Sequence, residues 1–293
     1  MSDIQTLKEI AESSETSMNE AYGIYRSKTF DKFLFVEGLT DKKMLQNKGY
    51  DEEQYYYLGM LGKPLVLKSH EIFFENQYYK EIKKIAYIID NDYDHITQTI
   101  ITSKNLFIHS VCNETFVHYY NDLEGFLVNS DSLVRFLREL GLNKSEINKL
   151  KNDVELESRR IGKYRAANEY LKKKKSLSLT STILFSFEIE NFFDRKSFLF
   201  LEKDFESAVR GCSQYKNLVD ELFQEAVNIN LKFPNKWSLS RGHDISELIS
   251  IYLFDKFDID LNSEDIEQCL RLAIDSEDMK VYSVTNSLSN FFK

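Results

Sequence analysis

Residues 32–45 read KFLFVEGLTDKKML, and residues 84–94 read KIAYIIDNDYD. Both stretches carry a short apolar run that stops at an acid. Phe33-Leu34-Phe35-Val36 runs into Glu37-Gly38, and Ile85-Ala86-Tyr87-Ile88-Ile89 runs into Asp90-Asn91-Asp92. Four or five consecutive apolar residues, without polar alternation, are the pattern of a strand covered on both faces, as in a parallel sheet. Two further β-like runs lie at 54–58 (QYYYL) and 106–111 (LFIHSV). Between them, DKKMLQNK (41–48) and KPLVLKSHEIFFENQYYKEIK (63–83) are compatible with helices. Strands that alternate with helices predict βαβ units, hence an α/β fold with a central parallel sheet flanked by helices.

Outside this core the pattern is helical. Ile4, Leu7, Ile10 and Ala11 recur at helical spacing within residues 3–27. After about residue 125 the β signal fades, and 130–141, 144–175 and 202–231 read as helices. TSTILFSFEIENFF (180–193) fits a strand or a buried helix. In the tail, Ser263 suits an N-cap, with Ile266, Cys269, Leu270 and Ala273 on one face. The expected organisation is an N-terminal helix (1–28), an α/β core (29–128) and a mainly helical region (129–293).

With 293 residues there is room for one or two cores. Two prolines and ten glycines argue against disordered linkers, and the net charge of −9 argues against polyanion binding by the whole surface. No apolar run approaches the roughly 18 residues of a membrane span. The N-terminus is polar and lacks the apolar segment of a secretory signal. Cys112, Cys212 and Cys269 are scattered, which predicts buried thiols in a reducing cytoplasm rather than disulfides or a zinc site.

The acids carry the functional expectation. Ligands of open parallel sheets sit beyond the carboxyl ends of the strands. Glu37 falls there on the first strand, and Asp90 and Asp92 on the third; if those strands are neighbours, the three carboxylates converge. Magnesium takes one or two carboxylates plus water and phosphate oxygens. A set of this kind offsets phosphate charge and activates water. Asp90 and Asp92 would share a side if the backbone stayed extended, with Asn91 pointing away. Gly38 permits close backbone approach. The plainer account of each acid is a helix cap or a solvated loop residue. An EF-hand fails, because its sixth position would be His95 and its twelfth Ile101. A haloacid-dehalogenase-type phosphatase, with a nucleophilic first aspartate, leaves Glu37 without a role and has Asp94 at an atypical place.

Val36-Glu37-Gly38-Leu39-Thr40-Asp41 followed by Ile89-Asp90-Asn91-Asp92 resembles the Toprim fold of topoisomerases, bacterial primases and several nucleases. Its signature is a strand ending in Glu-Gly, often with an aspartate three residues on, and a later strand ending in Asp-x-Asp. The likeness covers roughly residues 30–125. LGMLGKPLVLKSH (58–70), YNDLEGFL (120–127) and SRGHDISELI (240–249) resemble a narrower branch. That branch comprises Toprim nucleases found beside ABC-type ATPases in phage defence, such as the effectors of PARIS systems. The resemblance implies a magnesium-dependent endonuclease, with manganese as a substitute and Glu37, Asp90 and Asp92 as catalytic metal ligands. It further implies a homodimeric toxic effector that cleaves transfer RNA, with DNA as the near alternative, and that an ABC-type ATPase restrains. The other alternative is a non-catalytic subunit that docks on such an ATPase. Topoisomerase chemistry lacks a recognisable tyrosine here, three dispersed cysteines cannot form a primase zinc module, and Tyr93-Asp94 stands where a glycine is common.

Further residues join as candidates. Asp41 can ligate, hold a water or cap the helix it opens. Glu124 is either a further acidic ligand or a helix N-terminal acid favoured by the dipole. Lys63 can neutralise a transition-state phosphate. His243 is either a packed histidine or a proton donor, with Asp244 as N-cap of the next helix. RRIGKYRAANEYLKKKK (159–175) holds Arg159, Arg160, Lys163, Arg165, Lys172, Lys173, Lys174 and Lys175 against one acid, Glu169. It is a candidate nucleic-acid stripe or a solvated helix.

Overall fold

The two diagnostic runs become β1 (Lys32–Val36) and β3 (Lys84–Ile89), and Phe33 through Val36 and Ile85 through Ile89 are all buried. The computed structural model describes residues 3–99, 101–109, 120–178 and 181–293. By its contacts the chain divides into two units: 1–90 with 101–117 and 279–293, and 91–100 with 118–278. The division differs from the expected boundary at 128/129. The N-terminal helix belongs to the first unit, and so does the end of the chain.

The first unit is α/β, a four-stranded parallel sheet with flanking helices. β2 (Tyr56–Gly59) and β4 (Leu106–Ile108) complete the sheet in the order β2-β1-β3-β4. Residues 110 and 111 of the expected fourth strand lie outside the described residues. The chain passes from β1 to one edge and then resumes on the other side of β1, so its order reverses between β1 and β3. That reversal is the switch point at which such sheets bind ligands. α1 (Asp3–Arg26), α2 (Leu39–Gln46) and α3 (Lys63–Glu75) cover the strands; α1 and α3 also pack on each other. Met18 of α1 meets the Tyr87 hydroxyl of β3 at 3.4 Å, and Phe35 stacks on Tyr87 at 4.9 Å. Both faces of the sheet are thereby apolar, which is why the strands read as unbroken hydrophobic runs.

The second unit is mainly helical: α4 (Asp94–Thr97), α5 (Leu123–Asn129), α6 (Asp131–Glu139), α7 (Lys144–Lys174), α8 (Glu202–Cys212), α9 (Val219–Lys232), α10 (Gly242–Phe257) and α11 (Ser263–Ala273). The division at 278/279 falls inside α12 (Ser276–Val281), and α13 (Ser283–Phe291) follows and packs on β4. α7 starts at an Asn143–Glu146 capping box, in which each side chain accepts from the other's backbone N–H. Residues 181–192 form neither of the expected elements, and residue 180 lies outside the described residues. From 181 to 188 they are irregular, and Phe193–Asp194 (β5) then pairs with Leu199–Phe200 (β6). Their aromatic spacing has another cause: Phe185, Phe187 and Phe192 gather around Phe205 of α8.

Two capping expectations need correction. Asn262, not Ser263, caps α11 by accepting from the Asp265 N–H. Asp244 lies in the first turn of α10, where its carboxylate takes a bidentate pair from Arg165 (2.6 and 2.8 Å) instead of capping. The cysteine expectation also changes: Cys212 is exposed and Cys269 half-buried, both as free thiols. Cys112 lies outside the described residues. Among the described residues no helix is long and apolar enough to cross a membrane.

Candidate metal centre

Glu37 and Asp90 emerge directly from the carboxyl ends of β1 and β3, on either side of the switch point. The Asp90 N–H donates to Glu37 Oε1 at 2.7 Å, so the glutamate reaches across to the neighbouring strand end. The loop after β2 ties down the same place. Met60 N–H donates to the Val36 carbonyl (2.8 Å) and Gly62 N–H to the Glu37 carbonyl (2.9 Å). Gly59 has φ +90, and a Cβ there would sit 2.6 Å from the Val36 oxygen. That explains a glycine where the loop leaves the sheet. The loop delivers Lys63 to the start of α3, and Lys63 Nζ donates to the Asp90 carbonyl at 2.6 Å. Lys63 therefore fastens one strand end to another.

Of the three roles, the capping contact of Asp41 is present. Asp41 Oδ2 accepts the Gly38 N–H at 2.9 Å, and Oδ1 lies 3.1 Å from His109 Nε2, with both side chains buried. This arrangement fixes the Glu37-Gly38 turn from behind. Asp41→Ala is expected to cost about 0.5–2 kcal/mol of stability, from the lost cap. Urea denaturation checks it, and a metal-dependent thermal shift unchanged by the substitution separates a cap from a ligand.

The extended backbone on which Asp90 and Asp92 would share a side is not present. Asp92 (φ +45) and Tyr93 (φ +68) are left-handed, so the chain turns there instead of continuing extended. The Asn91 and Asp92 N–H groups both donate to the Asn121 carbonyl at 2.9 Å. Asn91 is fully buried, its amide 2.9 Å from His95 Nδ1. Asp90 ends the first unit and Asp92 belongs to the second.

In the second unit Asp92 belongs to a group of acids. Asp122 caps α5 by accepting the Gly125 N–H (2.9 Å) and also accepts from Gly242 N–H (2.5 Å). Glu124 is buried beside it, and a Cβ on Gly242 would lie 2.6 Å from Glu124 Cβ. Gly242 is thus required by close packing against the acids. His243 is exposed and its Nδ1 lies 2.9 Å from Glu267 Oε1, a contact that holds its proton above the ordinary imidazole range. Burial pushes Asp122 up to about 6, against the pull of its two N–H donors, and the Asp92 charge adds to the rise. Burial, then the charges of Asp122 and Glu267, push Glu124 up to about 8.

The sign of the pH effect follows. Both folded-state values exceed those of the unfolded chain, so their contribution is complete below about pH 4. It is lost as pH rises through about 6 for Asp122 and about 8 for Glu124. Between pH 5 and pH 9, in chelator, the Tm is expected to fall by about 5 °C or more. Glu124→Gln is expected to flatten most of that slope in a thermal-melt series.

Oxygen is all that Glu37 and Asp90 offer, which suits a hard divalent cation and not a soft one. Among the described residues no three carboxylate, imidazole or thiolate groups come together as a complete cage. Magnesium does not require one, since it keeps several waters and takes one or two carboxylates. The oxygen donors at the switch point are of the kind that fits magnesium, and Glu37 and Asp90 are the residues that would hold it.

The basic stretch of α7 is largely occupied. Arg159 Nε donates to Asn230 Oδ1 at 2.9 Å and its guanidinium also donates to the Phe233 carbonyl; Lys163 pairs with Glu202. Arg160 lies 3.5 Å from Glu157, Lys172 3.2 Å from Glu169, and Lys173 donates to the Thr97 carbonyl. Lys174 and Lys175 both reach Glu221, at 3.1 and 2.8 Å. These cations make their ion pairs and hydrogen bonds within their own unit. Sequence reasoning missed Asn121, Asp122, His109 and Glu267. Asn121 and Asp122 lie in the stretch YNDLEGFL (120–127), which is their signal in the sequence. Comparison of the chain with family models, curated proteins and solved structures found no match.

Proposed function

We propose that the protein is a metal-dependent endonuclease of the Toprim type, acting on phosphodiester bonds at the β1/β3 switch point. One observation carries it: Glu37 Oε1 accepts the backbone N–H of Asp90 at 2.7 Å, so the Glu37 carboxylate lies against the neighbouring acidic strand end, where parallel sheets bind ligands. When bound, magnesium or manganese supplies neutralisation of phosphate charge and a more acidic attacking water. Glu37 and Asp90 would hold the cation, and the Asp-x-Asp resemblance is what would add Asp92 to them. Lys63 and Asp41 keep the two strand ends in place. The Glu-Gly…Asp-x-Asp resemblance supports transfer RNA as substrate, an ABC-type ATPase as restraining partner, a homodimer as the active form and a toxic role in phage defence. DNA is the alternative substrate.

The test offers purified protein with magnesium or manganese to transfer RNA, plasmid and a chromogenic phosphomonoester. Cleavage of either nucleic acid that chelator abolishes is the expected result. Turnover of the monoester alone would overturn the assignment in favour of a phosphatase.

A further inference from the structure

The second unit contains a cleft of about 440 Å³ lined by Asp92, Tyr93, Arg165, Phe185, Ser186 and Arg241, among others. Its size falls within the range of ligand pockets. We propose that this cleft is a nucleotide subsite, in which Arg241 grips a backbone phosphate and Phe185 stacks on an unpaired base of a nucleic-acid strand. The assignment rests on the nuclease reading above, through Asp92, which lines the cleft and follows Asp90 by two residues.

Charge accounting singles out Arg241. Arg165 is bound bidentately to Asp244, and Glu169 at the cleft wall is paired with Lys172. Arg241 is exposed and makes no ion pair among the described residues. In a chain of net charge −9, an arginine left unpaired at a cleft wall is an anion site in waiting. Its planar fork matches phosphate geometry.

Phe185 is half-buried at the margin of an aromatic cluster, with Phe187 at 5.8 Å, Phe192 at 6.0 Å and Phe205 at 6.3 Å. Those neighbours hold the ring, so little entropy is lost when a base lies against it. The irregular segment before it is also fixed. Asn168 Oδ1 accepts from Ile183 N–H (2.9 Å), Leu184 N–H (3.2 Å) and the Thr182 hydroxyl (3.1 Å). A positive group and a fixed aromatic ring in one groove are how proteins hold single strands without reading sequence.

The experiment measures fluorescence anisotropy of labelled oligouridine, and of the same strand with abasic sites, over a salt series. Full-length protein carrying Glu37→Gln is used, so that the probe is not cut. Arg241→Gln is expected to weaken both strands and to reduce the salt slope by about 0.7, the value of one single-strand phosphate contact. Arg241→Lys is expected to keep the slope. Phe185→Leu is expected to weaken the intact strand about 5- to 100-fold and leave the abasic strand unchanged. If wild type cuts nucleic acid but neither substitution alters binding, the subsite is wrong and the nuclease reading stands. If Phe185→Leu weakens both strands equally, the ring is structural and the stacking role is overturned. If the protein neither binds nor cuts, both readings fall.

Discussion

Glu37→Ala is expected to lower metal-dependent cleavage by about 1,000-fold under single-turnover conditions. Two effects combine. The substitution removes a carboxylate from the proposed cation site, and it removes the acceptor of the Asp90 N–H, 2.7 Å away. The second loss also costs stability, about 1–3 kcal/mol for a donor left unpaired. Glu37→Gln separates the two. Its amide oxygen still accepts from Asp90, so the melting temperature should stay near that of wild type while cleavage falls as steeply. A binding readout independent of turnover comes from linkage. Manganese at 100 times its dissociation constant stabilises the folded state by about 2.7 kcal/mol. That thermal shift should appear in wild type and shrink in Glu37→Gln. Cleavage by Glu37→Gln at the wild-type rate would overturn Glu37 as a ligand of the proposed metal site.

What was legible in the sequence follows from how local each cause is. The strand ends declared themselves because a parallel strand, covered on both faces, must be apolar until it leaves the sheet. The acid after it then marks the exit. The turn at Asp92 did not declare itself, because its left-handed backbone is bound by the Asn121 carbonyl, about thirty residues away. The same holds for Asp122. Its second donor is Gly242 N–H, which no local pattern connects to the stretch YNDLEGFL. The basic run of α7 was legible as charge but not as function. Its partners, Glu202 and Glu221, lie in α8 and α9, and only their placement shows that the cations are occupied. Asp244 follows the same logic: the cap pattern was present, and a long-range arginine took the carboxylate instead.

Gly162→Ala is expected to be the most destabilising small substitution in the second unit, although helix propensity predicts the reverse. Alanine in the middle of an exposed helix is worth about 1 kcal/mol over glycine. In α7, however, a Cβ at 162 would lie 1.8 Å from the Leu239 carbonyl oxygen and 2.7 Å from its carbon. The obstacle is backbone, so no rotamer change relieves it; the helix and segment 238–240 must move apart. That segment is held by the Ser158–Ser240 hydroxyl pair (2.7 Å) and by the Tyr93 hydroxyl on the Leu239 carbonyl (3.1 Å). Asn121 Nδ2 adds donations to the Ser238 and Ser240 carbonyls (3.1 and 2.8 Å). Several bonds of about 1 kcal/mol each are thus at risk, on top of about 1–3 kcal/mol of overpacking. A total of about 4 kcal/mol or more corresponds to a fall in Tm of about 10 °C. Gly23→Ala in α1 is the matched control, because nothing lies within 4 Å of a Cβ there. It should leave the Tm unchanged or raise it slightly, by the propensity gain alone. The two substitutions are chemically identical and both sit within helices, so opposite signs in parallel urea titrations can only come from what the added methyl meets. A Gly162→Ala protein as stable as wild type would mean that α7 does not seat against residues 238–240. The hydrogen bonds that set the Asn121 and Gly242 segments against each other would then lose their support.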